Sequence, residues 1–360
     1  MNTSRRLIPL LLALLIVAGM ASAAPRAKAQ DDKVSIMVGG LEKIIYLPAK
    51  LTEQLGYFKD EGLTVELLTE PAGVDAETQL LAGQVQGVVG FYDHAIDLQG
   101  LNKSIMSVVQ LDGVPGEVEL VSSKLADQIK SPADFKGRNL GVTGLGSSTN
   151  FLTQYLAVKN GVKIGEFTSV AVGAGNTFIA AMQQGQIDAG MTTEPTISRM
   201  LKTGDAKVLV DMRTKETTVA ALGGTYPAAC LYMQTEYVNA HKDAVQKLAN
   251  AFVKTLRWIH THTAVEIAAQ MPKDYQVGDP ELYLKALDTS LGMYTVDGVM
   301  PKDGLATVLA VLSAFNPHVK GKTIDLSLTF TTEFVDKANA KLGPLPAMTM
   351  TATMAATAKP

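Results

Sequence analysis

Apolar residues arrive along this chain in short runs, separated by glycines and by helix-length segments in which they recur every three or four positions. The first run past the opening stretch, residues 34–38 (Val-Ser-Ile-Met-Val), has the length of a strand and ends in Gly39 and Gly40. A polar stretch leads to Tyr46, and residues 48–55 then predict a helix stopped by Gly56. Residues 64–68 predict a second strand, 75–81 a second helix ending before Gly83, and the apolar run 85–91 a third strand. Strand, helix, strand, helix, strand implies a parallel sheet with helices on its faces.

The same scheme returns further along. Residues 140–143, 168–172 and 187–191 predict strands, with helices at 150–158 and 176–184 between them. Gly73, Leu80, Gly83, Gln84 and Val85 stand at one constant offset from Gly175, Met182, Gly185, Gln186 and Ile187, an internal repeat. Two similar α/β lobes follow, each offering the carboxyl ends of its strands to a shared cleft, the place where open sheets bind ligands. Short β-rich runs flanked by Gly and Pro at residues 120–123 and 226–233 predict two strands crossing between the lobes, and hence a hinge. The expected organisation is a discontinuous first lobe, residues 30–120 plus 222–343, and a second lobe, residues 121–221. Residues 242–260 predict a long helix with Val245, Leu248, Phe252, Leu256 and Ile259 on one stripe, packed on the first lobe. Residues 344–360 are rich in Ala, Thr, Met and Pro without period, which predicts a disordered tail.

Composition narrows the setting. Residues 1–29 predict a cleaved export signal: Arg5 and Arg6 form the positive end, 7–19 an apolar core shorter than a bilayer span, and Ala23 or Ala29 the cleavage point. Cleavage after Ala29 removes four positive charges and no negative ones, taking the formal charge from −3 to −7. That excludes a nucleic-acid partner, which needs basic surface. The single cysteine, Cys230, excludes an intrachain disulfide, a cysteine-built metal site and a lipid anchor at the cleavage point. It lies in the apolar run 228–233 and reads as a buried, inert thiol. With 47% hydrophobic residues over its 360 positions, 331 of them past the signal, the chain has material for two cored domains.

Candidate chemistry concentrates at the ends of the predicted strands. Ser147, Ser148 and Thr149 follow the turn at Gly144 to Gly146 and open a helix. Three hydroxyls beside unpaired helix amides make a site for an anionic or strongly accepting ligand group; the competing reading is an ordinary N-cap in a solvated loop. A nucleotide site is excluded: a dinucleotide fingerprint needs glycine where Thr149 stands, a P-loop needs Gly-Lys before the hydroxyl, and Glu166 precedes the next strand. No cofactor is expected. Phe91, Tyr92, Asp93 and His94 follow a strand at its carboxyl end, where the aromatic pair covers a planar ligand and His94 donates to a carboxylate; in the other reading Asp93 caps the next helix and His94 is exposed. Glu194, before Pro195, holds the matching place in the second lobe, either accepting from a ligand or pairing across the hinge. Tyr226 either seals the cleft or is buried structurally. An acidic pair in the cleft disfavours a highly charged anion unless Lys43, Arg199 or Arg213 compensates. His260 and His262 are expected exposed rather than metal-bound, since residues two apart on a helix face different ways.

Several stretches together give the chain a resemblance. Leu55-Gly-Tyr-Phe-Lys-Asp-Glu-Gly62, Gly90-Phe-Tyr-Asp-His94 with Asp97, Asp134-Phe-Lys-Gly137, Gly146-Ser-Ser-Thr149, Gly185-Gln-Ile-Asp-Ala189 and Glu194-Pro195 stand in one order between residues 33 and 342. In these the chain resembles the solute-binding proteins of ABC importers in the nitrate, sulfonate and taurine group, the thiamine-precursor-synthesis-like family. The resemblance implies the type II periplasmic binding protein fold: α/β, two similar lobes with mixed, mostly parallel sheets joined by a two-strand hinge. It implies a periplasmic monomer that closes on a small organic solute, anionic and aromatic or sulfonated, and delivers it to an ABC permease in the inner membrane. The ligand contacts it implies are Gly40, Leu41, Tyr46, Phe91, Tyr92, Asp93, His94, Ser147, Ser148, Thr149, Thr193 and Glu194.

Two other functions stay open. A receptor subunit reporting to a membrane sensor kinase needs the same closing lobes. The family's eukaryotic pyrimidine synthases are enzymes of this fold, but they depend on a cysteine-rich stretch that a chain with Cys230 alone lacks. A Gly-x-Ser-x-Gly elbow and a His-Glu-x-x-His pair are missing too, so the expectation is a protein that makes and breaks no bond.

Overall fold

Ten strands build two five-stranded sheets in a computed structural model that describes residues 32–276 and 278–345. The expected export signal and residues 346–360 of the expected tail lie outside the described residues. In chain order the strands are β1 (Asp32–Val38), β2 (Leu63–Thr69), β3 (Gly87–Phe91), β4 (Ile105–Gln110), β5 (Glu117–Ser122), β6 (Asn139–Val142), β7 (Thr168–Ala171), β8 (Ala189–Thr193), β9 (Ala206–Asp211) and β10 (Ala229–Gln234). The first sheet runs β2-β1-β3-β10-β4 and the second β7-β6-β8-β5-β9.

Position for position the two sheets are the same, as the internal repeat requires. In each, the first three strands are parallel and the fourth runs against both of its neighbours. Gly83 and Gly185, partners in the repeat, both have φ +72° just past the helices Gly73–Leu81 and Asn176–Gln183. That left-handed geometry is open to glycine without strain, and it turns the chain into the central strands β3 and β8. Both central strands are buried at every residue, because helices cover the faces and strands flank both edges.

The opposing strand in each sheet is the first one formed after the chain arrives from the other sheet. The runs expected to cross, 120–123 and 226–233, largely coincide with β5 and β10, and the passages themselves are the segments just before, residues 111–116 and 212–228. These segments touch. The N–H groups of Leu111 and Asp112 donate to the Ala229 carbonyl at 2.8 and 3.0 Å, and the Ala228 N–H donates to the Asp112 carbonyl at 3.1 Å.

Three local expectations need correction. The stretch before Tyr46 is not a polar loop: Lys43 is buried and Ile44–Tyr46 forms a buried helical turn. The outer strands β4 and β9 were not flagged by the pattern. His260 and His262 are half-buried, and the His262 ring stacks on Trp258 with centroids 3.8 Å apart, which covers one face of each ring.

The helix Lys242–His260 has the expected bounds and buries Val245, Leu248, Phe252 and Leu256 in the main core beside β4. That core also takes Phe151, Leu152 and Leu156 from the helix Ser148–Lys159, which packs on the helix Leu305–Phe315. The second sheet has smaller clusters, Val118, Leu120, Phe178 and Met182 in one and Val121, Phe135, Leu140 and Ala189 in the other. Among the described residues no helix is long and apolar enough to cross a membrane, and no group of His, Cys, Asp and Glu is arranged to hold a metal.

Candidate functional site

The carboxyl ends of β1, β3, β6 and β8 carry the polar residues singled out by the sequence, and local folding decides which of these stay available. After β1 the backbone turns at Gly40, φ +117°, where a side chain would strike Lys43 Cε at 2.6 Å. The turn brings the Lys43 ammonium onto the carbonyls of Gly39 (2.5 Å) and Pro71 (2.9 Å), while the Leu41 N–H donates to Thr69 Oγ1 at 3.1 Å. Burial lowers the Lys43 pKa to about 8, against the opposing pull of Glu42, Glu117 and Asp75. Tyr46 follows, its ring edge-on to Phe91 with centroids 6.4 Å apart.

At the end of β3, Tyr92 bonds through its hydroxyl to the Thr329 hydroxyl. Asp93 begins the helix Asp93–Gly100 without capping it through its side chain; its Oδ2 accepts the Tyr226 hydroxyl at 2.9 Å. Burial raises the Asp93 pKa to about 6, although His94 and Tyr226 favour its charged form. His94 is buried, not exposed. It forms an ion pair with Glu77 and tilts over Phe151 with centroids 6.0 Å apart. Burial disfavours its cation, but Glu77, Asp93 and Asp97 together outweigh that and raise its pKa to about 9.

The second lobe supplies the facing groups. Ser147 occupies the N-cap position with extended backbone, yet its side chain caps nothing. Its hydroxyl donates to the Gly144 carbonyl at 2.7 Å and sits 3.0 Å from Thr143 Oγ1 and 2.9 Å from Thr149 Oγ1. Thr149 in turn accepts the Thr143 N–H at 3.0 Å, so these hydroxyls are spent on holding the turn. Ser148 is different: its hydroxyl donates to Glu117 Oε1 at 2.8 Å. Glu117 and Glu119 lie on one face of β5 beneath the same helix, and Thr153 donates to Glu119 at 2.7 Å. Burial lifts both carboxyls to about 8; for Glu117 the nearby Asp93 adds to this while Ser148 and Lys43 oppose it.

Thr193 pairs with Glu117 across the β5–β8 ladder, so the two side chains leave the sheet on one face. Glu194 is engaged: Oε2 accepts the Ser198 N–H at 2.9 Å, and Oε1 accepts the Ser198 hydroxyl and Arg213 Nη1, both at 3.0 Å. Arg213 also grips Asp211 at 2.6 Å, and Arg199 donates to Asn176 at 2.7 Å.

The lobes meet directly. The Ile44 N–H donates to the Glu194 carbonyl at 3.1 Å, Phe151 lies 6.3 Å from Phe315 between ring centroids, and a Cβ on Gly144 would stand 2.8 Å from Ala72 Cβ. Of the residues marked by the sequence, the fold brings together Tyr46, Phe91, Asp93, Ser148 and Thr193. Gly40 and Leu41 shape the loop behind them, and the hydroxyls of Tyr92, Ser147 and Thr149 and the carboxylate of Glu194 bond to the protein itself. Sequence reasoning missed Glu117, Glu119 and Asp112, all buried, and the acceptor role of Asp93 toward Tyr226. The signal existed for two of them: in Glu-Val-Glu-Leu-Val the acids alternate with core residues, but alternation alone reads as a solvated face.

Among solved structures, that of a protein from Bordetella bronchiseptica RB50 is 37% identical, with 87% of this chain and 98% of that one covered and a TM-score of 0.83. The alkanesulfonate-binding protein SsuA from Xanthomonas axonopodis pv. citri, bound to MOPS, is 18% identical over 84% of this chain and 99% of its own, with a TM-score of 0.66. At that identity the likeness is one of fold: this chain has the two-lobed type II periplasmic-binding-protein architecture. A 4-amino-5-hydroxymethyl-2-methylpyrimidine phosphate synthase from Aspergillus parasiticus is 29% identical over 168 residues, which are 45% of this chain and 46% of the enzyme. The profile described as NMT1/THI5 like matches residues 46–264, more than half the chain, and the chain therefore belongs to the NMT1/THI5-like family.

Proposed function

We propose that this chain is the extracytoplasmic solute-binding component of an ABC importer, capturing a small organic solute between its lobes and presenting the closed form to a permease. The observation that carries this reading is the convergence of buried polar side chains from both lobes, Asp93 from one and Glu117, Ser148 and Thr193 from the other, at the ends of matched sheets between which the described chain crosses at the paired segments 111–116 and 212–228. The likeness in fold to an alkanesulfonate-binding protein agrees with it. Closure is a hinge movement about those two segments, and the ligand favours the shut state by the contacts it makes only there. In this reading the lobes are residues 30–120 plus 222–343 and residues 121–221, and the export signal delivers the monomer to the periplasm.

The site consists of Tyr46, Phe91, Asp93, Ser148 and Thr193 around the solute, with Gly40, Leu41, Ser147, Thr149, His94 and Glu194 holding the walls in shape. In this reading the polar groups of the site orient a ligand. The test is a thermal-shift screen of the mature protein against aromatic carboxylates, sulfonates, taurine, nitrate, bicarbonate, amines and pyrimidines, since a ligand of the folded state raises the melting temperature by mass action. A selective hit whose affinity falls when Ser148→Ala and Thr149→Ala are combined in a folded protein is the expected result. A hit that ignores this double variant moves the site elsewhere.

A further inference from the structure

Two buried carboxylates, Asp93 on the first lobe and Glu117 on the second, are each only half satisfied. Asp93 receives the Tyr226 hydroxyl on Oδ2, and Glu117 receives the Ser148 hydroxyl on Oε1. Among the described residues nothing donates to Asp93 Oδ1 or Glu117 Oε2, although these side chains sit at 0% and 1% exposure. The two lie at one junction of the lobes: the Tyr46 ring meets Phe91 at the end of the strand that leads to Asp93, and the neighbouring Ile44 N–H bonds the carbonyl of Glu194, next to Thr193, the ladder partner of Glu117; both carboxyls act on the phenols of Tyr46 and Tyr226. Thr193, on the same face as Glu117, adds a buried hydroxyl oxygen that also has no partner among the described residues. An acceptor buried without a donor is costly, so a fold keeps several together where something else supplies the donors.

Most of the cations that an acidic ligand needs are committed. Lys43 is held by two carbonyls, Arg213 by Asp211 and Glu194, and Arg199 by Asn176; His94 is ion-paired with Glu77, and only its Nε2 lacks a partner among the described residues. We propose that the solute of this cleft presents a cationic or N–H-rich nitrogen group, such as an amidine, an amine or an aminated heterocycle, to Asp93 Oδ1 and Glu117 Oε2. The inference rests on the cleft being the solute site. One donor to each oxygen joins the first lobe to the second, so recognition and closure are the same event. The edge-on rings of Tyr46 and Phe91 at the same strand ends suit a planar, aromatic body attached to that nitrogen. This departs from the anionic solute that the sequence pointed to.

The experiment uses ring-matched probes of opposite charge on the mature protein: benzamidine and 4-aminopyridine against benzoate and benzenesulfonate, with binding read by thermal shift and titration calorimetry. The expected result is binding of the cationic pair only, weakened about 10- to 100-fold by Glu117→Gln and again by Asp93→Asn, variants that keep the side-chain shape. Cooperative melting shows that each variant is folded, and Ser148→Ala gives a milder second loss through the other oxygen of Glu117. Binding of the anions alone overturns the inference and leaves the solute cleft standing. Cation binding that survives Glu117→Gln and Asp93→Asn in folded protein overturns the placement at these oxygens. Failure of all four probes overturns the inference and, if the wider solute screen is also silent, the cleft reading with it.

Discussion

Replacing Glu117 by Gln removes a charge that its surroundings oppose while keeping the oxygen to which Ser148 donates at 2.8 Å. Burial is the main cause that lifts this carboxyl from its ordinary 4.5 to about 8. For an acid raised in this way, the folded chain keeps a proton that the unfolded chain has already lost between those two values. Stability is therefore greatest below about 4.5, falls as pH rises, and levels off above about 8. At about 1.4 kcal/mol per pH unit, the span amounts to roughly 5 kcal/mol, of which roughly 3 are lost by pH 7. Gln has no such dependence. Whatever constant effect its amide has, the stability of the variant relative to the parent should climb by roughly 3 kcal/mol between pH 4.5 and 7. For a chain of this size about 1.5 °C of melting temperature corresponds to 1 kcal/mol, so the expected relative gain is about 5 °C. Asp93 and His94, both raised, slope the same way in parent and variant, which is why the difference between the two proteins is the quantity to read. Calorimetric melting of both ligand-free proteins at four or five pH values between 4.5 and 8.5 is the assay. A difference that stays flat with pH, or that turns against Gln as pH rises, refutes the claim that this carboxylate is buried without compensation.

Three further outcomes follow from the packing. Gly144→Val places a side chain where Ala72 and Val74 already stand, at 2.8 and 3.1 Å from the Cβ position, so it should hold the lobes apart. Overpacking of about 1–3 kcal/mol weakens the affinity for a solute about 5- to 150-fold with little change in the melting temperature of the ligand-free protein; equal affinity contradicts a cleft that shuts there. Phe252→Ala empties a wholly buried site beside Phe58 and should cost about 3–5 kcal/mol in denaturant unfolding without altering selectivity among solutes. Cys230 should resist thiol reagents in the native protein and react once in denaturant, since burial pushes its thiol well up; prompt native labelling would show that β10 opens readily.

The outline of the fold was legible because each lobe repeats one pattern. The shared Gly-Gln step at 83–84 and 185–186 foretold that β3 and β8 would hold equivalent places, and the apolar stripe of residues 242–260 marked both ends of its helix. What escaped were the features set by tertiary covering. In β9, Ala206 is buried, Lys207 and Val208 are exposed and Leu209 and Val210 are only partly covered, so its period is too weak to stand out. Lys43 stood out only as a cation that could compensate acids in the cleft, and the turn at Gly40 and the carbonyls of Gly39 and Pro71 account for its burial. The serine-rich helix start was visible as chemistry. Its division into one hydroxyl that reaches a carboxylate and two that brace the turn depends on where β5 passes, and β5 comes from a part of the chain thirty residues earlier.

The central claim is that one solute is held by both lobes at once. Hydrogen exchange, followed by mass spectrometry with and without the solute selected by the thermal screen, tests this most directly. The account predicts slowed exchange together in the loop around Lys43 to Tyr46, at the start of the helix Asp93–Gly100, at the start of the helix Ser148–Lys159, and at the β8 end around Thr193. Protection confined to one lobe, or found only away from these strand ends, would contradict it.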